Sequence, residues 1–151
     1  VKLKTKDGHE LGAWVVRDPT RDRERTGKTR KVVVIYFHGN AETRAQSRRK
    51  RLYPILRSYF HQSIEKHSYS NNNSSDLPLE VELLTFDYRG FGDSPGSPSE
   101  GGVIEDGRAA YFFAVQTLKA DEVIFWGHSL GTGISTQTVL SILHDHQPPS
   151  S

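Results

Sequence analysis

The chain has 151 residues, the length of one small domain, with a net charge of +2 and a mean hydropathy of −0.61. A charge so near zero gives no argument for a nucleic-acid partner. Cys is absent, which excludes disulfides, a thiol nucleophile and thiolate metal sites. Met is absent too and the first residue is Val1, so the chain reads as a piece of a longer protein. No apolar run approaches the roughly 20 residues of a bilayer span, and no signal peptide is visible.

Val1–Val16 carries Asp7-Gly8 between two alternating runs, which predicts an antiparallel hairpin at a sheet edge. Arg17–Lys31 is charged and turn-rich and reads as a solvated loop, with contact to an anionic lipid surface as the alternative. Lys31–Phe37 (KVVVIYF) is a continuous β-branched run, the pattern of a strand buried on both faces of a parallel sheet. It runs into His38-Gly39-Asn40-Ala41. Glu42–Phe60 places Leu52, Ile55, Leu56 and Tyr59 at helical spacing, with a break or a helix start expected near Pro54. Arg48–Arg51 is expected on the solvated side of that helix.

His61–Pro78, rich in Ser and Asn, reads as a disordered surface insertion. Its His61 and His67 lack a third partner and are not taken as metal ligands. Val81–Asp87 is a second buried strand, leading into the glycine-bearing loop Tyr88–Gly96. Ser99 caps a further helix, whose buried stripe is expected at Ile104, Gly107, Tyr111, Val115 and Leu118. Val123–Trp126 is a third parallel strand and Leu130–Leu143 a last helix. Alternating buried strands and helices give a three-layer α/β sheet, mostly parallel with an antiparallel N-terminal hairpin.

The most informative stretch is Val123–Ile134, VIFWGHSLGTGI. A bare G-x-S-x-G is weak, since a chain this long contains one by chance about 5% of the time. Here a strand precedes it and a helix follows, the context of a nucleophile elbow. Bulk at Gly127 and Gly131 would meet the neighbouring strand and helix, and Ser129 stands at a helix N-terminus, where N–H groups favour negative charge. The loops at His38–Ala41, Tyr88–Ser94 and Gly127–Gly131 all leave the carboxyl ends of strands, where such sheets carry their sites.

The combination HGNAETR, FDYRGFGDSPGSPSEGG and WGHSLGTG resembles the α/β-hydrolase superfamily and, more narrowly, its lipases that cleave monoacylglycerols and lysophosphatidylserine. The likeness runs from about Lys31 to Pro149. It implies Ser129 as nucleophile, with the backbone N–H groups of Asn40 and Leu130 as oxyanion hole. It implies a small-molecule lipid ester as substrate, no metal and no organic cofactor. It also implies association of the parent with the endoplasmic reticulum or another intracellular membrane. His38 is expected to shape its loop, and Arg89 and Asp93 to brace theirs. His128, beside the nucleophile, points elsewhere in such a turn.

The departure from that pattern lies after the elbow. The family order is Ser, then Asp or Glu, then His. Only His144, His146 and Asp145 follow Ser129 here. A helix rising 1.5 Å per residue puts His144 about 22 Å away, whereas a base must come within about 3 Å. The triad acid and base are therefore expected to be absent from this chain. Residues 1–151 are expected to form the N-terminal portion of a single α/β-hydrolase domain, truncated after the elbow helix, with the insertion at 61–78. The alternative is a non-catalytic α/β-hydrolase-like binding or scaffold protein, or an inactive fragment.

Overall fold

A computed structural model describes residues 1–18, 28–41, 43–70 and 77–145. Five strands form one sheet in the order β1-β2-β4-β3-β5: β1 Lys2–Lys4, β2 Glu10–Val16, β3 Arg30–Phe37, β4 Leu79–Phe86 and β5 Glu122–Gly127. β1 and β2 form the expected antiparallel hairpin, β2 pairs antiparallel with β4, and β4, β3 and β5 are parallel. Three helices connect or follow them: α1 Ser47–Ser70, α2 Glu100–Phe112 and α3 Leu130–Asp145. A π-helical turn at Phe113–Thr117 closes α2.

The order 4-3-5 decides which face each helix covers. The connection from β3 to β4 runs one way along the sheet, and that from β4 to β5 runs back past β3. Right-handed crossovers in opposite directions put their helices on opposite faces. The alternation of β3 follows suit. Val32, Val34 and Tyr36 pack with Tyr53 and Phe60 of α1, while Val33, Ile35 and Phe37 pack with Ala109 and Ala110 of α2 and Ile134 of α3. The chain leaves β3 toward one face and β5 toward the other. A crevice opens between such diverging loops at the carboxyl end of the sheet, the usual place for a ligand.

Three expectations need correction. First, α1 does not break at Pro54 and runs on to Ser70, so 61–70 is helix rather than an insertion without structure. Pro54 is exposed, and water can take the carbonyl that its missing N–H leaves unpaired. Phe60 and His61 are buried and Ile64 packs on the α1-side core, so this part of the helix is held by contacts that its composition hides. Residues 71–76 of the expected insertion lie outside the described residues.

Second, Arg49 is not on the solvated side. It is buried, donates from Nη1 to the Tyr36 hydroxyl at 2.5 Å and lies over the Tyr36 ring. Third, the buried face of α2 is Gly102, Asp106, Gly107, Ala109 and Ala110, while Ile104 and Tyr111 are only half-buried. Small residues let α2 approach the sheet and α3 closely, and the larger ones lie to the sides. Of Arg17–Lys31, residues 19–27 lie outside the described residues. The flanks are pinned by ion pairs, Arg17 to Glu82 at 2.7 Å and Asp18 to Arg57 at 3.0 Å.

Candidate active site

The register of β3 and β5 sets Phe37 opposite Gly127, so the two strands end level. Their following loops lie side by side, tied by the His128 N–H donating to the Phe37 carbonyl at 3.0 Å. The chain then turns within one residue. Ser129 takes φ +53°, in the left-handed region that L-residues avoid. Backbone bonds from Gly131 to His128 and from Thr132 to Ser129, both 2.9 Å, start α3 at once.

Two glycines make this possible. A Cβ on Gly127 would lie 2.4 Å from Thr132 Cα, and one on Gly131 would lie 2.2 Å from the Phe37 carbonyl oxygen. Neither neighbour is a side chain that could swing away. The elbow is thus a strained turn wedged against β3, with the energy of the strain, of order 1–3 kcal/mol for such a residue, held by its surroundings. Among the described residues, nothing accepts from or donates to the Ser129 hydroxyl. His144 sits in the last turn of the unbroken helix α3, far from Ser129, and Asp145 pairs with Arg108 of α2. His146 lies outside the described residues.

The loop after β3 is organised by His38. Its ring is fully buried, tilted against Tyr88 at 4.1 Å and edge-on to Phe91 at 5.4 Å. Burial pushes its pKa below the usual histidine value, which keeps the imidazole neutral. His38 Nδ1 lies 2.8 Å from the Gly39 carbonyl oxygen, a contact that needs the proton on Nδ1. That carbonyl shares a trans peptide with the Asn40 N–H. The two point in opposite directions, so anchoring one fixes the aim of the other. The Tyr88 hydroxyl donates to the His38 carbonyl at 3.0 Å and holds the same loop from behind. The Asn40 side chain accepts from the Ala41 N–H at 2.8 Å, and Ala41 has φ +54°.

Asn40 and Leu130 meet on one cavity of about 720 Å³, whose walls are largely apolar: Tyr88, Phe91, Val103, Ile104 and Ile134. Glu100 is the acidic residue on its lining. The cavity thus joins the loop after β3 to the start of α3 and offers a largely apolar space, while Ser129 itself is not on its lining.

The charged residues nearby are structural. Arg89 donates to both Asp106 (2.8 and 2.9 Å) and Asp7 (2.6 and 3.1 Å), and Asp106 also accepts from the Arg89 N–H. The bonds to Asp7 above all keep Arg89 protonated, while burial pushes the Asp106 carboxyl up against the pull of Arg89. Asp93 binds Arg44 Nη1 at 2.6 Å, and this bond holds its pKa at about 2. The brace role expected of both residues is what their contacts describe.

Sequence reasoning passed over Arg44, which bonds Asp87 and Asp93 and lies 5.1 Å over the Trp14 ring. Nothing in its local pattern marks it, because its partners are 43 and 49 residues away. Asp106 could have been found: it is an acid on the same helical face as Gly102, Ala109 and Ala110, and a carboxylate on a buried face needs a cation.

The alpha/beta hydrolase fold family matches residues 32–146. The lysophosphatidylserine lipase ABHD12 of Danio rerio is 32% identical over 159 residues, covering 99% of this chain and 36% of that protein. Its Gallus gallus counterpart is 36% identical over 119 residues, covering 79% of this chain and 26% of that protein. The chain thus spans about a third or less of the length of these relatives. A lidless α/β serine hydrolase from Xanthomonas campestris superposes with a TM-score of 0.64 at 18% identity, over 95% of this chain and 56% of that one. The sheet order, the elbow and these matches lead to one statement: the chain belongs to the α/β-hydrolase fold family.

Proposed function

We propose that this chain supplies the nucleophile-bearing part of a serine hydrolase that cleaves a lipid monoester, a monoacylglycerol or a lysophospholipid. The observation that carries the reading is Ser129 at φ +53°, with its hydroxyl unbonded among the described residues and glycines that admit no Cβ on both sides. Such strain is kept where a side chain must stand clear of its backbone. The names of the relatives, lysophosphatidylserine lipases, support the substrate class.

In the proposed reaction Ser129 Oγ attacks the acyl carbonyl carbon and its proton passes to a general base. The N–H groups of Asn40 and Leu130 take the negative charge that forms on the carbonyl oxygen, each worth about 3–4 kcal/mol. The bond to the alcohol breaks, the alcohol leaves with the proton, and water repeats the sequence to free the acid. The base and its acid partner are contributed from outside these 151 residues. No metal or organic cofactor takes part.

The test is turnover of a monoacylglycerol and of lysophosphatidylserine by the intact protein and by Ser129→Ala. Loss of the nucleophile lowers kcat by about 10⁴–10⁶. Turnover within tenfold of the parent would reject the assignment. A second reading, a binding protein without catalysis, draws on the absence of a base for Ser129 among the described residues. It predicts lipid binding with no Ser129-dependent turnover at all.

A further inference from the structure

Helix α1 carries six of the chain's twenty Lys and Arg residues and one of its eighteen acids. The helix is therefore +5, and the rest of the chain −3 against the total of +2. Four of the six cations, Arg48, Arg49, Lys50 and Arg51, fall in its first turns, where no acidic residue stands. The helix macrodipole disfavours cations at that end, so local stability does not explain them. Arg49 is used by the core, as described above. Arg48, Lys50 and Arg51 are exposed, and none has an acidic partner among the described residues.

The same outer face is apolar further along. Leu52 is 37% exposed, Ile55 65% and Tyr59 59%. At 100° per residue these three fall within a 60° arc, with Arg48 and Lys66 in the same sector and Arg51 about 40° beyond its edge. The face about 100° round the helix, with Tyr53, Leu56 and Phe60, is the one that packs on the sheet. Exposed Leu, Ile and Tyr singly need no explanation, but three in one stripe bordered by cations do. α1 also begins on the loop that carries Asn40, so its cationic end lies at the carboxyl end of the sheet, as Ser129 does.

We propose that the outer face of α1 docks on an anionic lipid bilayer, with Leu52, Ile55 and Tyr59 entering the headgroup boundary and Arg48 and Arg51 meeting lipid phosphates and carboxylates. Charge complementarity selects the occupant: a cationic stripe with apolar anchors matches a negative surface that also has an apolar interior. An acidic protein would satisfy the cations and leave Ile55 and Tyr59 without a partner. The inference stands whether or not Ser129 is reactive, because it uses none of the site residues.

The test is flotation of the full 151-residue chain with phosphatidylcholine vesicles, with and without phosphatidylserine. Binding rises with phosphatidylserine and falls with salt. Each surface cation contributes roughly fivefold, so Arg48→Gln/Arg51→Gln lowers binding to the anionic vesicles by roughly 25-fold. Ile55→Ser/Tyr59→Ser lowers it at unchanged charge. All four positions are exposed, and an unchanged circular dichroism spectrum confirms folding of each variant. Flotation indifferent to phosphatidylserine, or equal in parent and both variants, overturns the proposal. So does binding to polyglutamate that Ile55→Ser/Tyr59→Ser leaves intact while the vesicles are ignored, a result that assigns the face to an acidic protein.

Discussion

Two loops that leave the strands on either side of β3 are held in opposite ways. The loop after β4, Asp87–Ser94, is braced by side chains. Arg44 joins Asp87 to Asp93, Arg89 joins Asp106 to Asp7, and Ser94 Oγ donates to the Asp87 carbonyl at 2.7 Å while accepting from Gly12. The elbow after β5 is held by backbone bonds and by the absence of side chains at Gly127 and Gly131. In the first loop every charged group is consumed by structure. In the second the Ser129 hydroxyl is left unused among the described residues. A conspicuous cluster of Asp and Arg is thus a poorer guide to chemistry than a lone serine with nothing bonded to it.

That contrast can be broken first on the ionic side. Arg89→Met leaves the fully buried Asp106 carboxyl without its cation, and such a loss costs about 3–5 kcal/mol. The expected result is a clear fall in melting temperature, largely restored in Arg89→Met/Asp106→Asn, where the charge is gone as well. An unchanged melting temperature for Arg89→Met alone would show that the brace holds nothing.

On the elbow side the decisive change is one methyl group. Gly131→Ala drives a Cβ into the Phe37 carbonyl and costs about 1–3 kcal/mol, because backbone must move. Gly133, two residues on in the same helix, has open space where a Cβ would go. Gly133→Ala should therefore be neutral or stabilising, by up to about 1 kcal/mol. Equal melting temperatures for the two variants would contradict the wedged geometry.

The smallest effect concerns pH. Asp93 is held at about 2 by Arg44, below its ordinary value of 3.8. A depressed carboxyl contributes stability that is fully present above the unfolded value and is lost as pH falls through the folded one. The parent should exceed Asp93→Asn in melting temperature above about pH 4, and the gap should close toward pH 2. Asp93 is more than half exposed, so added salt should narrow the gap as well. A gap that stays constant from pH 6 to pH 2 would separate Asp93 from the brace.

Much of this architecture was legible in the residues. Asp7-Gly8 marked the hairpin, KVVVIYF and VELLTF marked strands buried on both faces, and Gly127 and Gly131 marked a turn without room. These signals are local, each set by a handful of adjacent residues. What escaped was non-local. The helix through 61–70 depends on Phe60, His61 and Ile64 reaching a core made by other strands, and a composition of Ser, His and Gln conceals that. Arg49 looked like one cation in a solvated run, yet Tyr36, 13 residues away, takes it into the core. Arg44 was invisible for the same reason. For the site, the elbow could be read from spacing. The aim of the Asn40 N–H could not, because it depends on the tautomer and burial of His38.

The central claim is that Ser129 is the reactive nucleophile, and its most direct test is covalent. The intact protein is treated with a fluorophosphonate probe, digested, and the modified peptide mapped by mass spectrometry beside Ser129→Ala. The account predicts a single adduct on the peptide containing Ser129 and none in the variant. An adduct that persists in Ser129→Ala, or one that maps to another serine, would contradict it.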